Sequence, residues 1–506
     1  MTGDSGVVPL TEAAGRDRSV IGAKAASLVQ LAQLGLCTPP AFVVTTDVWR
    51  AHRRDGRLPD AVVAAIDEAV AELEARTGRH FGGDVDPLLL SVRSGSAASM
   101  PGMLDTILDV GFGPGTRAGL AAAVDDAFAR RCHRRFLAGW AAVVLGRRVA
   151  ADSDLDDLAA SIGGGLPPAP RDQLIEAVMA VLRSWENERA HAYRDRHGID
   201  HELGTAVVVQ AMVFGDRGPA SGTGVAFSRD PDTGLPGLCG DFLPGAQGSD
   251  VVAGTHDPLP VAALAEVSPD AFVELEAAMA ALEGATRDMV DVEFTVEVGT
   301  LHLLQHRPGP RAAAAAVRIA VDLVDAGVLT VDEALQRVTA EQLAHAARST
   351  VAADAPDLLG TGVGACPGVA RGEVCLSPDH VSVHEAPVVL VRNETSPDDV
   401  HAMTASAGLL TAHGGLVSHA ALVARELDLP AVVGLEGLLI DDTSGTVTLG
   451  GTVLRDGDVI TVDGASGRVH AGFAPVVPSA PAPHLDRLRA WIAGADRPAG
   501  EGSDPA

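Results

Sequence analysis

The chain has 506 residues, nearly half of them hydrophobic, with few aromatics and a formal net charge of -29. That length suits about three domains, and Leu, Val and Ala must fill their cores. So negative a chain is a poor partner for nucleic acid or anionic membrane, and an anionic substrate needs a locally basic pocket.

Five scattered cysteines, Cys37, Cys132, Cys239, Cys366 and Cys375, form no CxxC pair. A disulfide or metal framework is not expected from them, and a reducing cytoplasm fits best. Met1 to Pro9 lack the basic flank and apolar core of a signal peptide. The longest apolar runs, such as Ala206-Val207-Val208-Val209, are too short to span a bilayer. The expectation is a soluble cytoplasmic protein. Lys24 is the only lysine among 38 basic residues, as if a compact ammonium charge were wanted at that one place.

Gly22-Ala23-Lys24 opens an amphipathic helix that stops at Gly35, which puts Lys24 at a helix start suited to phosphate. The P-loop pattern is absent. A strand follows at 41–46. Leu88 to Arg93 reads as a buried strand with a cation at its end, and residues 94–103 form a loop of small residues able to close over polyphosphate or simply to face water. Residues 117–160 and 170–196 look helical. The cluster Arg130, Arg131, Arg134 and Arg135 on the first of these is either a solvated charged face or an inorganic phosphate site. From Gly204 the pattern changes to strands at 206–214, 222–228 and 239–243, then a polar loop at 245–248.

Two strands, 290–297 and 301–307, flank a Val-Gly-Thr turn. A three-residue hairpin loop would set Glu297 opposite Leu301, Glu293 opposite Gln305 and Asp291 opposite Arg307. Asp291, Glu293, Gln305 and Arg307 then share one face. Two carboxylates and an amide oxygen suit Mg²⁺, with a guanidinium beside them for phosphate. A solvated face with cross-strand ion pairs is the plainer alternative.

Residues 311–347 have the spacing of a helical hairpin, and 354–359 look like a linker. A compact unit follows, with strands near 371–376 and 387–392 and a helix at 397–404. Gly408 to Thr411 reads as a buried strand ending at Gly414-Gly415. Ser418 then caps a helix marked by Ala420, Val423 and Leu427. His419 falls in its first turn, where the dipole disfavours an imidazolium and favours an anion. A neutral imidazole there is a nucleophile whose phosphorylated form meets N–H donors. Beyond Pro475 the chain is Pro-, Ala- and Gly-rich and is expected to be disordered, apart from a short helix at 485–492.

Taken together these motifs resemble the N-terminal two-thirds of the pyruvate phosphate dikinase family. They are Gly22-Ala23-Lys24, Ser91-Val92-Arg93-Ser94-Gly95, Ser99 to Thr106, Gln210 to Gly215, Ser221 to Phe227, Ala246-Gln247-Gly248, Asp250 to Gly254, Glu293-Phe294-Thr295, Glu394 to Asp399 and the His419 segment. The resemblance implies an α/β multidomain chain: an ATP-grasp nucleotide-binding domain (1–310), a helical linker (311–358), a β/β/α swivelling phosphohistidine domain (359–475) and a disordered tail (476–506). It also implies a magnesium-dependent phosphotransferase in which ATP and phosphate load His419, giving AMP and pyrophosphate. His419 becomes the phosphocarrier, with Arg93 and Arg307 as catalytic cations. Lys24, Arg93, Gln210, Met212, Asp241 and Arg307 hold ATP, and Asp291, Glu293 and Gln305 arrange the metal.

Some features depart from the family. Only about thirty residues follow the His domain, against the roughly 250 of a (β/α)₈ barrel. The resemblance therefore implies a phosphoenolpyruvate/pyruvate-binding barrel protein as a separate partner. Val417 stands where the family commonly has a regulatory Thr, so that regulation is not expected. His413 replaces a usual Arg, and Asp241 a usual Glu. Alternatives are a His-dependent dikinase acting on another small-molecule acceptor, or a non-catalytic phosphocarrier or regulatory protein.

Overall fold

The computed structural model describes residues 5–98, 100, 103–147, 153–248, 258–347, 349–441, 444–478 and 483–494. The Asp250–Gly254 motif lies outside these residues, as do Ser99, Pro101 and Gly102 of the loop after Arg93. The chain divides into two compact units. The first comprises residues 1–221 with the hairpin tip 295–306, and the second comprises 222–294 with 307–506. The stretch expected as one nucleotide domain, 1–310, thus contributes to both.

The first unit is built on a five-stranded antiparallel sheet in the order Val7–Pro9, Ala41–Val44, Ala206–Ala211, Leu90–Gly95, Thr106–Val110. Every residue of Ala206–Ala211 is buried, as the unbroken Ala-Val-Val-Val run requires of a strand covered on both faces. Helices including Asp126–Val143 and Pro170–Arg183 pack Phe128, Phe136, Trp140 and Val181 into that core. The expected helix 117–160 is three helices, Thr116–Ala123, Asp126–Val143 and Leu155–Ile162, with 148–152 outside the described residues. Asp125 and Asp154 side chains cap the second and third, and these caps mark the breaks that apolar periodicity passes over.

Among the described residues the second unit carries two larger sheets and two small ones of two and three strands. In the first the order is Thr300–Pro308, Val290–Glu297, Gly222–Arg229, Pro236–Pro244, Leu259–Pro260. The second has eight strands in the order Leu358–Thr361, Arg468–Ala471, Val459–Asp463, Val369–Cys375, Val388–Arg392, Gly408–Thr411, Ala431–Val433, Val363–Cys366. The run from Val369–Cys375 to Ala431–Val433 is parallel. Alternation of period two sends Val389, Val391 and Leu410 to one core and Val388, Leu390 and Leu409 to another.

The segment 311–347 forms three helices, Ala313–Asp325, Val331–Arg337 and Ala340–His345, the last two opened by capping boxes at Thr330 and Thr339. Beyond Pro475, where disorder was expected, Val476–Pro478 pairs with Ser349–Val351. Helix Pro483–Ile492 buries Leu485, Leu488 and Trp491 in one cluster with Ile319 and Leu323. Those three apolar residues at helical spacing outweigh the Pro- and Gly-rich flanks. Residues 495–506 are outside the described set.

Candidate functional site

His419 is the first residue of helix His419–Glu426. The Ser418 hydroxyl accepts the Ala421 N–H at 3.3 Å and donates to the Gly415 carbonyl at 2.9 Å, the cap expected from sequence. The glycine pair before it is required by space. A Cβ on Gly414, whose φ is +113°, would lie 2.9 Å from the Ser418 side chain. One on Gly415 would lie 2.3 Å from Asp241 Oδ2.

The His419 ring is half-buried, with Nδ1 3.1 Å from Thr395 Oγ1. Burial pushes its pKa below the usual histidine range, opposed by the nearby Asp399 carboxylate. A neutral ring whose Nδ1–H donates to Thr395 leaves its lone pair on Nε2. In that tautomer Nε2 is the ring's nucleophilic atom, carried by the first residue of a helix.

The segment around His419 is clasped by residues from 222–294. Asp241, on strand Pro236–Pro244, accepts the Val417 N–H at 2.9 Å. Burial pushes the Asp241 carboxyl up to about 6, while the Val417 bond and Arg425 pull the other way. Asp232 takes Arg425 in a two-pronged pair at 3.0 and 3.2 Å, and Arg425 also donates to the Leu416 carbonyl at 2.6 Å. The Arg425 side chain has no exposed surface. Val417 itself is buried in one cluster with Val225, Phe227 and Leu243. Asp241, expected from sequence to bind ATP, thus has its carboxylate on the loop before His419.

Asp291 is 1% exposed and its Oδ2 accepts Arg307 Nε at 2.8 Å. The charge of Asp291 holds the Arg307 guanidinium firmly protonated, with Glu293 and Glu426 adding to it. Burial pushes Asp291 up and Arg307 pulls it down. Asp291 Oδ1 is buried with no hydrogen-bond partner among the described residues. Asp109 and Asp216, both paired with Arg135, also have such an oxygen, so an orphan oxygen alone is no metal site. Asp291 differs in having Glu293 two residues on, on the same side of the strand, which fits a hard divalent cation.

The hairpin turn has two residues, Val298 and Gly299, both at positive φ (+49° and +82°), rather than three. Burial in Thr300–Pro308 alternates until Leu304 and Gln305, which are both half-buried, and then resumes out of phase. The Asp291–Arg307 pair expected from a longer loop therefore forms with a shorter one. Gln305 and the buried His306 belong to the hairpin portion counted with the first unit, where Ser27 Oγ accepts the His306 N–H at 2.7 Å.

In the first unit, helix Arg18–Gln33 is kinked at Gly22, with φ +80° and ψ 161°. A Cβ there would meet the Gly95 carbonyl oxygen at 1.8 Å. Ala23 N–H donates to Ser96 O at 2.9 Å, and a Cβ on Gly95 would stand 3.3 Å from Lys24 Cβ. Lys24 is thus pinned at the end of strand Leu90–Gly95, which also carries Arg93. Gln210 is buried and donates to the Pro39 carbonyl at 3.1 Å, and Met212 is in the core, so neither side chain is presented to solvent. The arginine cluster divides between surface contacts and the largely buried Arg135. Arg130 pairs with Asp126, Arg131 with Asp216, Arg135 with Asp109 and Asp216, and Arg134 donates to the Ser153 carbonyl.

The residues that sequence reasoning missed are Asp232, Arg425 and Glu426. Arg425 lies six residues after His419 on the same helix, and a cation amid Leu422, Val423 and Leu427 was the available signal.

Known proteins resemble this chain over the same parts. Residues 50–273 match the family model of the pyruvate phosphate dikinase AMP/ATP-binding domain, and 384–467 match that of the PEP-utilising enzyme mobile domain. The pyruvate, phosphate dikinase of Clostridium symbiosum is 39% identical over 94% of this chain and 59% of its own length. That of Rhizobium meliloti (strain 1021) is 38% identical over 95% of this chain and 59% of its own. For pyruvate, phosphate dikinase 2 of Zea mays the figures are 38%, 94% and 58%. The chain spans less than two thirds of the length of these relatives. Among the described residues no helix is long and apolar enough to cross a membrane. Over its nucleotide and mobile regions, the chain is similar to the pyruvate phosphate dikinase family.

Proposed function

We propose that this chain is a phosphotransferase that loads His419 from ATP. His419 Nε2 takes the β-phosphoryl group, AMP leaves, and inorganic phosphate takes the γ-phosphoryl group to become pyrophosphate. The observation that carries this reading is His419 itself: a neutral ring at a helix start, with Nδ1 held by Thr395 and Nε2 left to react. Positioning and charge neutralisation are most of what phosphoryl transfer asks of a protein.

Lys24, Arg93 and Arg307 hold the phosphates. Asp291 and Glu293, with Gln305, hold Mg²⁺, which supplies charge neutralisation to the polyphosphate when bound. Gln210 and Met212 act by fixing the strand they belong to, and Asp241 by receiving the carrier loop. The phosphoryl group then passes to pyruvate on a separate phosphoenolpyruvate/pyruvate-binding barrel, in the cytoplasm.

Incubating the chain with Mg²⁺, phosphate and ATP tests the loading reaction. The expected result is AMP and pyrophosphate in equal amounts, with pyrophosphate dependent on added phosphate. ADP as the nucleotide product would overturn the reading. Adding pyruvate and a barrel protein should then give phosphoenolpyruvate, and no transfer to pyruvate would overturn the assigned acceptor.

A further inference from the structure

The carrier domain holds a second cluster that phosphoryl transfer does not use. Cys375, His384 and Asp456 each offer one ligand atom, and these atoms lie within 4.8 Å of one another. We propose that they form a binding site for a thiophilic divalent cation of the zinc class, with a fourth position open to water.

The donor set is the first argument. One thiolate, one imidazole and one carboxylate are a zinc-type set, and together they neutralise a divalent charge. The second is the orientation of the imidazole. Glu373 lies outside the trio and binds His384 Nδ1 at 2.7 Å. A proton held on Nδ1 by that carboxylate leaves the lone pair on Nε2, which faces Asp456 Oδ2 at 3.6 Å. A carboxylate behind the ring in this way fixes the tautomer of metal-bound histidines.

Third, the ligands are carried by ordered backbone. Cys375 ends a strand inside the eight-stranded sheet. The turn bearing Asp456 is tied to that strand by Gly457 N–H to Val374 O at 3.0 Å and Val374 N–H to Asp458 O at 2.8 Å. The thiol is buried at the base, while the Asp456 side chain is 48% exposed and opens a path from solvent.

Metal–ligand bonds of about 2.0–2.3 Å in tetrahedral array set ligand atoms roughly 3.5 Å apart. The His384–Asp456 spacing already fits, and the sulfur has to close by at most about 1.3 Å, within reach of a side-chain rotation. The thiol now donates to the Ser377 carbonyl at 3.3 Å. On binding it loses its proton to solvent and forms the metal–sulfur bond.

Cobalt(II) titration of the full chain, followed by ultraviolet and visible absorption, tests the site. A thiolate-to-cobalt charge-transfer band saturating at one equivalent, bleached by Zn²⁺ and absent in Cys375→Ser, is the expected result. The oxygen-donor site at Asp291 and Glu293 gives no such band, so the outcome does not depend on the phosphotransfer reading. Asp456→Asn and Glu373→Gln, both at the surface side of the cluster, should keep the fold and weaken cobalt binding about 10–100-fold. No thiolate band in the wild-type chain, or one unchanged in Cys375→Ser, overturns the proposal. Unchanged affinity in both surface variants does so too, leaving His384 as an ion-pair bridge between two carboxylates.

Discussion

Two corners of the molecule handle charge by different means. In the first unit Lys24 is placed by backbone, through the Gly22 kink and the bond from Ala23 to Ser96. In the second, His419 is placed by side chains reaching from distant stretches: Thr395 on the ring, Asp241 on the Val417 amide, Asp232 on Arg425. A backbone corner has little freedom to change, whereas an ion-pair clasp can open as a whole. A segment that has to be loaded in one place and unload in another needs the second kind. Val417 adds an apolar knob to that clasp where a threonine would add a hydroxyl.

The contrast can be broken at either corner. His419→Asn should abolish phosphoryl transfer to the chain altogether while ATP still binds, read by AMP release and by equilibrium binding. Asp232→Ala leaves the buried Arg425 guanidinium unpaired and should destabilise the second unit by about 3–5 kcal/mol in denaturant unfolding. Changing Arg425 to Met in the same chain should recover most of that loss, because an apolar pair of similar volume avoids the uncompensated charge.

Asp241→Asn tests the clasp through pH. Burial raises the folded pKa from the ordinary aspartate range to about 6. The carboxyl therefore contributes stability in full below about pH 4, and loses it as pH rises through about 6. About 3 kcal/mol of stability should disappear from the wild type over that window and be retained by the Asn variant, as measured by unfolding at pH 4, 6 and 7. Lys24→Ala should weaken ATP binding by about 10–100-fold, the value of one charge-assisted contact, with the second unit's stability unchanged. The smallest effect concerns His419 itself. Its lowered pKa predicts a loading rate that holds steady through the ordinary histidine range and falls only below it, read from initial rates across pH.

These contrasts also explain what was legible in the sequence. The His419 helix, its Ser418 cap and the glycine pair were readable, because capping and close approach demand particular residue types at fixed offsets. The same holds for Gly22 before Lys24 and for the all-buried strand at 206–211. Asp291 and Arg307 were found because period two links them across a hairpin, although the turn is shorter than expected. Asp232 and Arg425 were not readable: they are 193 positions apart and neither residue type predicts a partner at that distance. The split of 1–310 between two units was hidden for a similar reason, since the hairpin tip 295–306 returns to a unit that the chain had left at Ser221. The helix at 485–492 was readable from its apolar spacing, but its packing with Ile319 and Leu323 was not.

The central claim is that Nε2 of His419 receives the β-phosphoryl group of ATP. It is tested most directly by β-labelled ATP followed by mapping of the acid-labile, base-stable label to an atom. The account predicts label on His419 at Nε2, with none in His419→Asn and none from γ-labelled ATP once phosphate is present. Label on another residue, on Nδ1, or retained in the His419→Asn variant would contradict it.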